Sequence, residues 1–585
     1  MEAIPSIVSE NPAPIEKRRL LSDLKDDAAH KGCCGSLRRH GFYVFALSVV
    51  AALGIALIAI SVRGPHGSDA ACDVSVVESI PLNTTGLSSG AESTYAAFLW
   101  LLDNAKSSID VTAMYWTLNS PARDGKKKCD AAADDCPDDA GFTPQELEDF
   151  GVAQGRAVWL ALEDAARRGV RIRIVQSPGL NNSVIEPTDL ARISKRVEVR
   201  TADMSAWYDS GIMHAKVWIV DGRHGYVGSA NMDWRSFTQT RETGAMLRNC
   251  PRVTTDLTRI FEAFWDLANT TPNPGPHLKA SSSSSSPTSR AGRLWKGNGG
   301  GAGMLGSETR DAFDPALQLD RKVPCWSSLV QEGDRCQAPL RLADVSGGAG
   351  VSGAVPVRLS VSGGAPGPPA DANVRLSLSP PELCGTDRWG DEDMLVDTIE
   401  SASPGGFVYV TVMDFQPVTK YLCRAGEVCP PFESFYWPRL VDALLRVATG
   451  KGADVRLLVS RWYYDAPGAQ ELLWRYQHYT DYVCSNYTSS YRMPCGGSFE
   501  IREIRLPGWD EVAGQNRTYP GHTRVSHSKF IVSDQRANIG TSNMQWSYFW
   551  STAGVSFNVD DARVVAQLKH MFELAWDHPT YTTPI

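Results

Sequence analysis

The chain has 585 residues, a formal net charge of −8, and 43% hydrophobic and 21% charged residues. That length holds two or three domains, and the composition is that of an ordinary globular protein, which excludes a wholly disordered or fibrous chain. The negative charge excludes a protein that holds nucleic acid on a broad basic face, so any such contact belongs in a local pocket.

Residues 1–40 are polar, carry Pro5, Pro12 and Pro14, and have no apolar period, so they read as a disordered tail. Within it Glu16, Leu20 and Leu21 fit an acidic-dileucine signal of the kind read by sorting adaptors. Cys33 and Cys34 are candidate palmitoylation sites or plain free thiols. Residues 41–62, from Gly41 to Val62, are 22 uncharged, mostly apolar residues, long enough to cross a bilayer as a signal anchor. Lys25, Lys31, Arg38 and Arg39 precede this stretch, whereas Arg63 is the only basic residue between Val62 and Lys106. The asymmetry predicts a type II protein with a cytosolic tail and a luminal body, retained or released past Val62. Sequons at Asn83, Asn181, Asn269, Asn486 and Asn516 agree with a luminal body. So do the eleven cysteines beyond the stretch, which read as disulfides rather than metal ligands. Close spacing invites local bridges such as Cys129–Cys136, Cys423–Cys429 and Cys484–Cys495, and the odd number leaves one thiol over.

A first half spans 63–271. Ser107–Trp116 reads as a strand and Gln154–Arg168 as a helix closed by Gly169. Val170–Val175 alternates as a strand, and Thr255–Leu267 is a closing helix with Leu257, Ile260, Phe261 and Trp265 on one face. Residues 272–370 change character, with a Ser run at 281–286 and Gly-rich stretches, and read as a flexible insert in which Cys325 and Cys336 staple a small piece. The second half, 371–585, repeats the first. Phe407–Val412 and Val455–Val459 read as strands, Leu440–Ala448 as a helix ending at Gly450, and Val564–Trp576 as the closing helix. Gly452 follows Gly169 by 283 residues and His527 follows His214 by 313, so the second half carries about 30 extra residues before its motif. The expected fold class is α/β: two α/β/α halves with mixed sheets, packed about a pseudo-two-fold and sharing one site.

Each half contains the same motif. One reads His214-Ala-Lys216 through Asp221, then Gly228-Ser229-Ala230-Asn231; the other reads His527-Ser-Lys529 through Asp534, then Gly540-Thr541-Ser542-Asn543. Side chains two apart on a strand share a face, so each His and Lys point into one site. A neutral imidazole is a nucleophile and an imidazolium a general acid. Two lysines add fixed positive charge for phosphoryl oxygens, and Ser229, Asn231, Ser542 and Asn543 add neutral donors. This set predicts phosphodiester cleavage through a phosphohistidine, with no metal and no cofactor. Asp221 and Asp534 are expected to orient the site. His522 and the tryptophans at 116, 207, 234, 546 and 550 are weaker candidates for substrate contact, more simply read as loop and core residues.

These motifs resemble the HKD motifs of the phospholipase D superfamily. The run Gly228-Ser-Ala-Asn-Met-Asp-Trp-Arg-Ser-Phe-Thr-Gln239 closely resembles the animal lysosomal phospholipase-D-like 5′-exonucleases. The resemblance runs from about Cys72 onward, apart from the insert. It implies a 5′-exonuclease acting on single-stranded DNA or RNA in an acidic endolysosomal lumen reached through the endoplasmic reticulum and Golgi. It also allows a lipid reaction on phosphatidylglycerol-type phospholipids, and it leaves a homodimer open. It pairs Cys72 with Cys250 and gives Glu242, in Arg241-Glu242-Thr-Gly244, the role of holding a catalytic histidine. The second half departs from the pattern: between Asn543 and Gly554 there is no carboxylate, where the relatives have Glu near Ser551 or Thr552. That departure admits a third reading, a catalytically weak membrane glycoprotein with an interaction role.

Overall fold

A computed structural model describes residues 71–120, 142–178, 185–208, 211–268, 353–363, 367–384, 388–417, 436–462, 469–491, 496–508 and 518–585. The expected tail, sorting signal, signal anchor, Cys33 and Cys34 lie outside these residues, as do Asn181, Asn269, Asn516 and the pairs Cys129–Cys136, Cys423–Cys429 and Cys325–Cys336. Among the described residues no helix is long and apolar enough to cross a membrane. Asn83 is exposed, on a turn with φ 61°.

Seventeen of the described strands join into one mixed sheet, and four short ones form two separate pairs. Across the first half the order is Val197–Thr201, Arg171–Gln176, Ser108–Ala113, Val217–Val220, His224–Gly228, Glu242–Arg248 and Cys72–Ser79. The second half repeats it as Ser498–Ile504, Asp454–Ser460, Phe407–Val412, Phe530–Ser533, Ala537–Gly540, Gly554–Val559 and Ala370–Ser379. Three strands run parallel at the outer end of each set, and a hairpin carries the motif next to them. The duplication read from the sequence therefore holds strand for strand.

One strand joins the sets. Ala354–Ser362 runs parallel to Cys72–Ser79 and antiparallel to Ala370–Ser379. It lies inside the segment 272–370 assigned to the insert, so that boundary is corrected: the ordered second half begins at least as early as 354. Val355, Val357 and Leu359 turn inward at alternate positions, a period-2 signal that the Gly- and Pro-rich flanks obscured. The extra residues ahead of the second motif hold a further surprise, a 23-residue helix, Ala469–Tyr491. Its polar, aromatic sequence has no clean apolar stripe, which is why no helix was read there.

Helices cover both faces. Thr94–Asn104 and Val152–Arg167 pack on the outer face of the first half around Phe98, Leu162 and Trp218. Asp391–Glu400 and Arg439–Lys451 do the same in the second half around Leu395, Leu444 and Ile531. The closing helices Pro251–Leu267 and Ala562–Trp576 belong instead to a single central core that draws Phe261, Phe264, Val374, Phe557 and Phe572 from both halves. Burying one apolar face of each sheet in a shared core fixes how the two motif strands meet. The Cys72–Cys250 disulfide ties the start of the first half to its closing helix. Cys484 is also disulfide-bonded, and Cys495, its expected partner, lies outside the described residues.

Candidate active site

The two motif histidines are held by reciprocal backbone bonds across the halves. His214 N–H donates to Ala553 O at 3.0 Å and Ala553 N–H to Ile212 O at 2.9 Å; His527 N–H donates to Arg241 O at 2.8 Å and Arg241 N–H to Val525 O at 3.0 Å. Each half thus holds the other's histidine through a short parallel bridge, Met213 with Ala553 and Arg241 with Ser526. Each lysine folds back on its own motif: Lys216 Nζ donates to His214 O at 2.8 Å and Lys529 Nζ to His527 O at 2.7 Å. The turns that follow are matched as well. Ser229 N–H donates to Thr243 O and Thr541 N–H to Val555 O, at 3.0 and 3.1 Å. The structure therefore brings His214, Lys216, Ser229, Asn231, His527, Lys529, Ser542 and Asn543 into one region, nearly all of it buried.

The halves differ in carboxylates. Glu242, 1% exposed, faces His527 Nδ1 at 2.9 and 3.0 Å, and accepts from Ser229 Oγ at 2.5 Å and Thr240 Oγ1 at 2.8 Å. With Nδ1 turned to Glu242, His527 presents Nε2 to the cleft. The backbone bonds match Arg241 to Ala553 and Thr243 to Val555, so the counterpart of Glu242 is Gly554. This relocates the missing second acid, which the sequence comparison set near Ser551 or Thr552. A Cβ on Gly554 would collide with Ser542 Oγ and lie 2.7 Å from Ser379 Oγ, so the space of that side chain is already taken. His214 Nδ1 is buried and makes no hydrogen bond of good geometry among the described residues, with the Thr541 backbone against the imidazole.

Burial and mutual repulsion set the charges. Burial, then Lys216, Lys529 and His527, push His214 well below 6.5. Burial also lowers His527, but Glu242 opposes it. Burial pushes Lys529 down to about 7 against the pull of Glu242 and Asp414, and lowers Lys216 strongly with help from Lys529. Burial raises Glu242, yet His527, Lys529 and Ser229 outweigh it and hold the group below its usual range. Four buried side-chain nitrogens grouped with one carboxylate give a donor set suited to an anion such as a phosphodiester.

Two expected site residues do not reach it. Asp221, beyond the far end of its strand, accepts from Lys106 N–H, Ser107 N–H, Ser107 Oγ and Ser108 N–H at 2.7–2.9 Å. Asp534 likewise accepts from Ser403 N–H at 3.0 Å. The strand between Lys and Asp carries the carboxylate out of the pocket, to fix the turn that enters the neighbouring strand. Of the tryptophans, Trp116, Trp207, Trp234 and Trp546 are core residues. His522 contacts Trp462 at 5.9 Å between rings.

Sequence reasoning passed over three residues at the pocket. Asn231 Nδ2 donates to Tyr115 OH, which donates to Asp233, while Asn543 Nδ2 donates to Tyr548 OH, whose ring stands edge-on to His214 at 5.0 Å. Asp414, near Lys529, occupies the place of Tyr115, since the pairings Trp116–Met232 and Phe415–Met544 correspond. Laying the ends of the two strands 108–113 and 407–412 side by side would have found that pair.

Two family models match the chain, "Cardiolipin synthase, PLD-like domain" over 149–265 and "PLD3/4, PLD-like domain" over 369–485. With its matched halves and duplicated motif, the chain is a phosphodiesterase of the phospholipase D superfamily. Among individual proteins it is 28% identical to the 5′-3′ exonuclease PLD3 of Bos taurus over 514 residues, 87% of this chain and 80% of that one. It is 27% identical to Phospholipase D Z of Dictyostelium discoideum over 513 residues, 88% of this chain and 90% of that one. The crystal structure of the phosphatidylserine synthase of Haemophilus influenzae Rd KW20 aligns at a TM-score of 0.42 and 10% identity, covering 84% of this chain and 85% of that one.

Proposed function

We propose that this chain is a 5′-exonuclease that degrades single-stranded DNA or RNA in an acidic endolysosomal lumen, through a covalent phosphohistidine and without a metal. The observation that carries the reading is the pair of His-Lys sets crossed between the halves, with His527 alone backed by a carboxylate. Glu242 stabilises an imidazolium at His527, which makes His527 the general acid. His214, buried and without such support, stays neutral and is the nucleophile. In the first step a lone pair of His214 attacks phosphorus, the P–O bond to the leaving oxygen breaks, and His527 gives that oxygen its proton. In the second, neutral His527 takes a proton from water, the new hydroxide oxygen bonds to phosphorus, and the P–N bond to His214 breaks. Lys216, Lys529, Asn231 and Asn543 supply the positive field and donors for the non-bridging oxygens.

The pocket is local and the chain is acidic overall, which suits a substrate that enters by its end. The relative named an exonuclease favours nucleic acid, and the relative named a phospholipase D sustains the alternative, in which a lipid alcohol replaces water. Turnover of 5′-hydroxyl single-stranded DNA against phosphatidylglycerol vesicles, both with EDTA, separates them. Cleavage of the DNA from its 5′ end is the expected result. Preference for the lipid would favour the alternative, inertness on both would leave an interaction role, and loss of turnover with EDTA restored by Mg²⁺ or Zn²⁺ would overturn the mechanism.

A further inference from the structure

The place of a second glutamate is closed at Gly554, yet a carboxyl is buried beside it from another element. Asp391, the first residue of the helix Asp391–Glu400, is 1% exposed. Ser377 Oγ donates to its Oδ1 at 2.8 Å, and the hydroxyls of Ser556 and Ser542 also bear on the group. These three serines come from three places: Ser377, on Ala370–Ser379, is paired with Ser556 on the strand that Gly554 opens, and Ser542 is in the turn that ends in Asn543. Asp391 Oδ2, Ser542 Oγ and Ser556 Oγ are buried with no partner in good geometry, as is His214 Nδ1. Ser542 Oγ stands where a Cβ on Gly554 would lie, with Ser379 Oγ and Thr541 Oγ1 close by, and Ser542 in turn bears on Asp391.

Among the described residues the first half lacks the Ser377–Ser556 pair. There the counterpart of Ser377 is Val77, and Tyr226 packs its ring against Gly244, the counterpart of Ser556. A polar nest in one half where the other has an aromatic wall is a costly thing to bury unless its hydrogen bonds are used. The contacts lead toward the site. Ser542 stands between Thr541, whose backbone bears on His214, and Asn543, whose amide meets Tyr548 at the edge of His214.

We propose that Asp391 is a positioning residue for the second half: its carboxyl braces Ser542 and so fixes the Thr541–Asn543 turn against His214 and the substrate phosphate. It takes over from a helix the bracing role that Glu242 performs from a strand, where Ser229 Oγ is held at 2.5 Å. No proton leaves Asp391 in the reaction. Burial favours the neutral acid there, which offers one O–H donor and one carbonyl acceptor, the same pair that an asparagine offers.

The proposal rests on the phosphodiesterase reading, so its test has two independent readouts. Steady-state turnover of bis(p-nitrophenyl) phosphate reports the chemistry, and binding of inorganic phosphate, followed by calorimetry, reports the positioned turn without any turnover. Asp391→Ala and Ser542→Ala are each expected to lower kcat about ten-fold or more with a smaller change in KM, as for a misplaced reacting group. Both should weaken phosphate binding, and the double variant should be no worse than the poorer single one. Asp391→Asn should restore kcat to within about two-fold of the parent. A parent protein that binds phosphate yet turns over no diester would sink the phosphodiesterase reading and leave the affinity changes to decide on Asp391. Asp391→Ala with a lowered melting temperature but unchanged kcat and phosphate affinity would overturn the proposal, as would Asp391→Asn as damaging as Asp391→Ala.

Discussion

At the residue scale the site is asymmetric in its carboxylates although symmetric in its motifs. Glu242 reaches His527, and nothing comparable reaches His214. That difference makes the division of labour measurable. His527→Ala removes the acid but leaves the nucleophile, and a p-nitrophenolate leaving group needs little protonation. The variant should therefore give a burst of p-nitrophenolate followed by slow turnover, with the phosphohistidine accumulating at His214. It should lose roughly 10²–10⁴-fold on an oligonucleotide, whose leaving oxygen needs the proton. His214→Ala should give no burst on either substrate, and a burst from it would reverse the assignment. Lys216→Met or Lys529→Met should each cost about 3 kcal/mol of transition-state stabilisation, or some hundred-fold in kcat. The pH dependence follows from the directions of the shifts. His214 works neutral, and its value lies well below 6.5, so activity falls only when the pH drops through that value. His527 works protonated and is itself lowered, so activity falls as pH rises through a value below 6.5. Lys529 then loses its charge near pH 7 and deepens the loss. The expected kcat/KM profile is a bell wholly on the acid side of neutrality, reported as macroscopic values of a coupled pair. Glu242→Gln withdraws the group that holds His527 up, so its alkaline limb should move to lower pH.

At the level of elements, much was legible and the reasons for the misses are physical. Val217–Val220 and Phe530–Ser533 were readable because short, fully buried β-branched runs next to a motif admit few other forms. Helices with an apolar stripe, such as Pro251–Leu267, were found to within a turn. Ala354–Ser362 was missed because its Gly- and Pro-rich flanks hide its alternation, and Ala469–Tyr491 because a polar, aromatic sequence without an apolar stripe gives no helical signal. The His-Lys pairs were legible because one motif occurs twice. The spacing put Asp221 and Asp534 at or past the strand end, where each holds a neighbouring turn, but it did not show that this end lies away from the pocket. Gly554 and Asp391 were illegible, since a carboxyl delivered by a helix far ahead of the motif leaves no local pattern. Close packing of elements also behind the pocket is testable. Gly155 of the helix Val152–Arg167 lies so close to the backbone of Leu118 and to Trp234 that a Cβ there would collide with both. Trp234 opens the short helix after the Asn231 turn. Gly155→Ala should therefore cost about 1–3 kcal/mol despite the better helix propensity of alanine, read as a fall in melting temperature.

On the scale of the whole molecule, the continuous sheet and the shared core make the two halves one folding and one catalytic unit. Phe261, Phe264, Phe557 and Phe572 belong to one cluster, and Arg388 of the second half is paired with Asp256 of the first, both side chains 1% exposed. Breaking that pair by Asp256→Ala would strand a buried guanidinium at about 3–5 kcal/mol. The reciprocal bonds of His214 to Ala553 and of His527 to Arg241 form within a single chain. A sharp consequence concerns mixtures of inactive variants. If each site is completed inside one chain, His214→Ala protein mixed with His527→Ala protein must stay inactive, because no molecule in the mixture holds both histidines. If instead the halves of different copies met to form the site, pairing of the two variants would bring an intact His214 beside an intact His527 and restore turnover. The same shared core makes spontaneous exchange of halves in the native state improbable on energetic grounds, since it would expose the central cluster. The experiment therefore mixes the variants twice, once folded and once after joint unfolding and refolding with the Cys72–Cys250 bond intact. Continued inactivity in both is the expected outcome, and activity regained on refolding alone would mean that the crossed His bridges close equally well between two chains.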